Sequence, residues 1–130
     1  MEVHAAVLRA LGVELAARHD LSVNEFDALV NIPGDGLRPH ELTDRVILSQ
    51  SALSRLIARL ERRALIERHD AAGDGRGTEI RLTPAGRRLR AQAIRTNAEV
   101  VDREFAGRLD ASRFAALRAI LDELRTQLRE

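Results

Sequence analysis

The 130-residue chain has no cysteine. Disulfides, thiolate metal ligands and thiol-based oxidation sensing are therefore excluded. Tryptophan and tyrosine are also absent and there are only three phenylalanines, so no indole or phenol ring is available to grip a planar ligand. No apolar run approaches the roughly 18 residues that a membrane helix needs, and the N-terminus, MEVHAAV, carries Glu2 where a secretory signal would be basic. Neither a membrane span nor a signal peptide is expected, and a cytoplasmic location is the default. Lysine is missing too: all 21 basic residues are arginine. This reads as genome composition bias, although it favours bidentate contacts to phosphate and guanine.

What is present is unevenly charged. Residues 38–95 hold 13 arginines against 7 acidic residues, a net of +6, whereas the remainder holds 8 against 13, a net of −5. The overall +1 thus hides a basic middle between acidic ends, the electrostatic footprint of a nucleic-acid binder. The length suits a single domain, residues 1–130.

The basic middle centres on Ser49 to Arg63, SQSALSRLIARLERR. Leu53, Leu56, Ile57, Leu60 and Ala64 recur at helical spacing and form an apolar face. The opposite side carries Ser51, Arg55, Ala58 and Arg62, flanked by Ser54 and Arg59, and Ser49 is the N-cap. Just upstream, Pro39 to Val46 reads as a short helix opened by proline, with Ile47 and Leu48 as a tight connection. Two short helices joined in this way make a helix-turn-helix, whose second helix enters a DNA major groove.

Around this pair, Val3–Ala17 is a helix with the stripe Val3, Val7, Leu8, Leu11 and Leu15. Ser22 and Glu25 form a capping box, with Leu21 and Phe26 as its hydrophobic staple, for a helix from Val23 to about Asn31. Pro33, Gly34, Asp35 and Gly36 break the chain. Leu65–His69 and Glu79–Leu82 alternate as strands around the glycine-rich loop DAAGDGRGT, so residues 65–83 form a hairpin wing with Arg76 near its tip. An arginine so placed is a candidate for a narrow minor groove. Thr83 caps a long helix, Pro84 to about Leu109, and Asp110 caps a last one. Phe114, Leu117, Leu121, Leu124 and Leu128 on that last helix repeat at heptad spacing and call for a covering surface, most economically a second copy.

The fold class is therefore mainly α with a small β-hairpin wing (α+β): a winged helix-turn-helix with terminal helices forming a dimerisation region. Residues 21–83 would be the DNA-binding lobe, and residues 1–20 with 84–130 the helical dimerisation region. Leu8, Leu11, Phe114, Leu117, Leu121, Leu124 and Leu128 are the expected dimer contacts.

Other chemistry finds little support. His4, His19, His40 and His69 fit no compact metal motif, and no metal or cofactor is implied. His19 beside Asp20 is the best remaining metal or effector candidate, with Phe26 nearby in the same junction of helices. The loop from Asp70 reaches Arg81 where a calcium loop needs Glu, and there is no phosphate-cradling glycine motif or nucleophile elbow. An enzyme is not expected.

Taken in order, the chain resembles the MarR (multiple antibiotic resistance regulator) family of winged-helix repressors. The most specific likeness is the wing, where Asp74, Arg76, Leu82 and Thr83 match the family's D-x-R-x5-L-T pattern, followed by Ala85 and Gly86. The stretch ELTDRVILSQSALSRLIARLERRALIER resembles the family's recognition region throughout. The resemblance implies a homodimer with interleaved terminal helices and two winged lobes on one palindromic double-stranded DNA site. It places Gln50, Ser51, Ser54 and Arg55 at positions that touch base edges and nearby phosphates, Arg76 in the minor groove, and Asp74 as the acid that braces Arg76. Arg38, Arg59 and Arg62 complete the expected DNA-binding set. Ala64 stands where the family often has glycine; a left-handed backbone there would cost about 1 kcal/mol. The implied function is transcriptional repression relieved by a small-molecule effector. The alternative is a winged-helix module that binds a protein partner without DNA.

Overall fold

The computed structural model describes residues 2–70 and 77–128. Helix α1 (Glu2–His19) and helix α2 (Val23–Asn31) precede the short helix α3 (Pro39–Thr43) and helix α4 (Gln50–Arg62). Strands β1 (Ile66–Asp70) and β2 (Thr78–Leu82) lead into helix α5 (Pro84–Glu104), a 3-10 turn (Ala106–Arg108) and helix α6 (Ala111–Gln127). This is the expected helical winged helix-turn-helix.

One apolar cluster runs through the chain. Leu11 and Leu15 of α1, Leu29 of α2, Leu42 of α3, Leu53, Leu56, Ile57 and Leu60 of α4, Ile80 and Leu82 of β2, and Ala93 and Val100 of α5 all belong to it. The boundary drawn between residues 84–130 and the winged lobe therefore falls inside a shared core. Local chemistry sets the helix starts. Ser22 accepts from the Glu25 amide at 3.1 Å and Glu25 accepts from the Ser22 amide at 3.2 Å, the expected capping box. Ser49 accepts from Ala52 N, Thr83 from Gly86 N and Asp110 from Arg113 N, so three more helices open on side-chain caps.

The strands pair antiparallel, from Ile66 opposite Leu82 to Asp70 opposite Thr78. A short third partner lies on the far side of β2, where Leu37 and Ile80 exchange backbone hydrogen bonds of 3.1 and 2.8 Å. Gly36 sits beside it at φ +87°, and a Cβ there would lie 2.8 Å from Arg81 Cγ, so glycine is required twice over. Behind the hairpin, Thr83 N and Oγ1 donate to the carbonyls of Leu65 and Ala64. Helix α5 presses so closely on this corner that a Cβ on Gly86 would overlap the Leu65 carbonyl oxygen.

Four expectations are corrected. Helix α3 ends at Thr43 rather than Val46, and the connection that follows leaves Ile47 wholly exposed. Ala64 is not on the buried face of α4: the helix has ended, and Ala64 is exposed at φ 54° in the left-handed cap. The first strand does not alternate, because Leu65 and Ile66 are both buried at the lobe's edge and residues 67–70 project out of it. Helix α5 stops at Glu104 rather than near Leu109. There the chain folds back so tightly that a Cβ on Gly107 would lie 2.6 Å from the Asp102 carbonyl oxygen.

Candidate nucleic-acid interface

Helix α4 is divided lengthwise by its own sequence. Leu53, Leu56, Ile57 and Leu60 are each at most 4% exposed, which fixes the helix by its inner face. Gln50, Ser51, Ser54, Arg55, Arg59 and Arg62 are exposed on the outer side. The Ser49 and Ser51 hydroxyls lie 3.3 Å apart at the helix start, so the N-terminal turn presents donors and acceptors, and the arginines follow one and two turns later.

The arginines of the basic middle fall into two groups, a distinction invisible in the sequence. Arg45, Arg87 and Arg90 donate to the carbonyls of Asn31, Leu82 and Ile32, and are structural ties. Arg68 and Arg81 pair with Glu61 and Glu79 at 2.7 and 3.1 Å. Arg63 is held by Glu25 and the end of α1. Arg38, Arg55, Arg59 and Arg62, like Arg88 and Arg95 of α5, have no carboxylate partner among the described residues. Arg55, Arg59 and Arg62 line one shallow cleft of about 340 Å³ along the helix.

A larger cleft of about 410 Å³ separates α3, the start of α4 and the base of the hairpin. Arg38, His40, Gln50, Ser54, Arg68 and Thr78 contribute to its rim. Arg38 reaches toward the hairpin, its Nη1 lying 3.9 Å from where a Cβ on Gly77 would stand. Six of the expected DNA contacts, Gln50, Ser51, Ser54, Arg55, Arg59 and Arg62, thus share one exposed surface, and Arg38 borders it across the cleft. Asp74 and Arg76 lie outside the described residues.

The other site residues are distributed elsewhere. His19 Nε2 is 2.7 Å from Thr96 Oγ1, which ties α1 to α5, while Phe26 packs against the core. Among the described residues, no group of three or more His, Asp or Glu is gathered closely enough to hold a metal ion, and no helix is long and apolar enough to cross a membrane. Leu11, an expected dimer contact, is only 5% exposed within its own chain and belongs to the core instead. Leu8, Phe114, Leu121, Leu124 and Leu128 are exposed, Leu117 is half-buried, and α6 buries no residue fully within the chain.

Comparison with known proteins bears on the fold and the family resemblance. Residues 19–77 match the model of the MarR family. A curated relative, the transcriptional regulator HosA of Escherichia coli O157:H7, is 34% identical over 76 residues, which cover 58% of this chain and 56% of that protein. The matched segment therefore spans little more than half of that relative's length. Among solved structures, AbsC, a MarR family transcriptional regulator from Streptomyces coelicolor, superposes with a TM-score of 0.79 at 27% identity, over 98% of this chain and 88% of that one. Sco3205, a MarR family regulator from the same organism solved in complex with DNA, gives 0.78 at 23% identity, covering 99% and 82%. The motifs, the fold and these matches agree in likening the chain to the MarR family: residues 19–77 match that family's model, and nearly the whole chain shares the fold of the MarR family regulator AbsC.

Proposed function

We propose that the protein is a homodimeric, sequence-specific DNA-binding transcriptional regulator. The observation that carries this reading is the outer face of α4, where Arg55, Arg59 and Arg62 lack carboxylate partners among the described residues and stand beside Gln50, Ser51 and Ser54 on a helix anchored by four buried aliphatic side chains. Arginine and amide or hydroxyl groups on one rigid face supply phosphate attraction and base-edge hydrogen bonds together. The reading is supported by HosA, itself a transcriptional regulator, and by Sco3205, which was solved with DNA bound. In this account α4 lies in a major groove, and the hairpin with Asp74 and Arg76 lies over the flanking minor groove. Two copies joined through α6 and the exposed part of α1 read a pseudo-palindrome with half-sites about one helical turn, roughly 10 bp, apart. The regulator acts as a repressor, and a small molecule relieves it by binding one arrangement of the two lobes better than the other.

The test is titration of the purified protein against duplexes selected from a random pool, at several salt concentrations. With about eight phosphates neutralised, log affinity should fall against log salt with a slope near −7. A salt-independent affinity would refute phosphate contact by the α4 arginines. A protein that selects no duplex but captures a protein partner would favour the interaction-module reading instead.

A further inference from the structure

Beyond its buried leucines, helix α4 is tied at its C-terminal end to two other helices by one side chain. Arg63, its C-cap residue, donates from Nη1 to the Asp20 carbonyl oxygen at 2.7 Å and to Glu25 Oε2 at 3.1 Å, and from Nη2 to the His19 carbonyl oxygen at 3.4 Å. The Asp20 carboxylate lies 3.8 Å away. Glu25 is 4% exposed, and its second oxygen, Oε1, accepts the Ser22 amide of the capping box. The guanidinium thus joins the end of α4 to the end of α1 and the start of α2 at once. Its carbonyl acceptors lie at the negative end of the α1 dipole, where a cation is favoured.

The neighbouring residues of α1 continue the chain of contacts into α5. The His19 ring meets Thr96, itself 4% exposed, and Arg18 bridges Glu14 and Glu99 at 2.7 and 2.8 Å. The non-glycine residues with left-handed backbone among those described, Asp20 at φ 52° and Ala64 at φ 54°, flank this junction. Such conformations persist where surrounding contacts over-determine them. This arrangement differs from an ordinary surface ion pair, because Glu25 is nearly enclosed and two of the acceptors are backbone groups.

We propose that Arg63 is a positioning residue: it fixes the angle of the reading helix against the α1–α5 scaffold and so sets the separation of the two reading heads on one operator. This rests on the homodimeric DNA-binding reading above. The test compares a selected operator with versions carrying one base pair inserted or removed at the centre. The wild-type protein should lose at least about tenfold in affinity on the respaced sites. Arg63→Met, shown to be folded and dimeric, should bind the original operator more weakly yet lose only about threefold or less on respacing. Arg63→Lys keeps the charge but cannot span the same acceptors, and should fall between the two. A folded Arg63→Met variant with the full wild-type spacing penalty would reduce Arg63 to a simple helix cap. If Arg63→Met does not fold, Arg63→Lys decides: a spacing penalty equal to that of wild type overturns the proposal. A wild-type protein that selects no operator at all removes the DNA-binding reading and this inference together, whereas specific binding with unchanged spacing penalties removes this inference alone.

Discussion

Ala64 and Gly86 meet at the same corner of the lobe and should respond in opposite directions to a one-methyl change. Ala64 sits at φ 54°, a conformation that costs a non-glycine residue about 1–2 kcal/mol. Ala64→Gly relieves this but loosens the unfolded chain by about 0.4–1 kcal/mol. A small net stabilisation is expected, read as a higher denaturant midpoint with an unchanged slope. Gly86→Ala places a methyl on the Leu65 carbonyl, where backbone must move, and should destabilise by about 1–3 kcal/mol or more. Equal midpoints for Gly86→Ala and wild type would mean that α5 does not press on the hairpin corner as described. At the recognition surface, Arg55→Ala should weaken operator binding by about 1–3 kcal/mol and relax preference at one base pair. A uniform loss on every duplex would make Arg55 a phosphate contact instead. Residue identity alone did not separate Arg55 from Arg63 or Arg90. All three lie in one basic stretch, and only tertiary packing shows that Arg63 and Arg90 are occupied by Glu25 and by the Ile32 carbonyl.

The elements that local chemistry specifies were the legible ones. Ser22 with Glu25, Ser49, Thr83 and Asp110 cap helices within three residues of themselves, so their helix starts can be read directly from the sequence. Spacing likewise marks Leu53, Leu56, Ile57 and Leu60 as the core face of α4, but it also includes Ala64, which lies past the helix end and is exposed. Elements decided by distant contacts were not legible in this way. The bridge between Leu37 and Ile80 joins residues far apart in the chain, and the end of α5 depends on how Gly107 folds back over Asp102. Leu11 and Leu8 share one helical stripe, yet Leu11 is buried in the core cluster and Leu8 is exposed. Helix α6 carries the clearest consequence at this scale. Phe114, Leu121 and Leu124 are between 41 and 54% exposed, an apolar seam that the single chain leaves open. Leu121→Asp should therefore convert a dimer to a monomer in sedimentation, with little effect on the far-ultraviolet spectrum, and operator affinity should be lost with it. A mutant that stays dimeric would take α6 out of the interface.

At the scale of the whole molecule, the charge asymmetry along the chain does not follow the division into lobe and scaffold. The basic middle of the chain is shared between the lobe that displays α4 and the first half of α5, which carries Arg87, Arg88, Arg90 and Arg95, while Glu25 and Asp27 of the acidic N-terminal end stand on α2 within the lobe. On the outer face of α4, Arg55, Arg59 and Arg62 stand together, and it is this patch that would draw a polyanion. Two such lobes turned toward one duplex make symmetry the central claim. Selection of bound sequences from random duplex DNA tests it most directly. The account predicts enriched sites that form a pseudo-palindrome with half-sites about 10 bp apart. Enrichment of single, unpaired half-sites, or no enrichment at all from a protein that is monomeric at micromolar concentration, would contradict it.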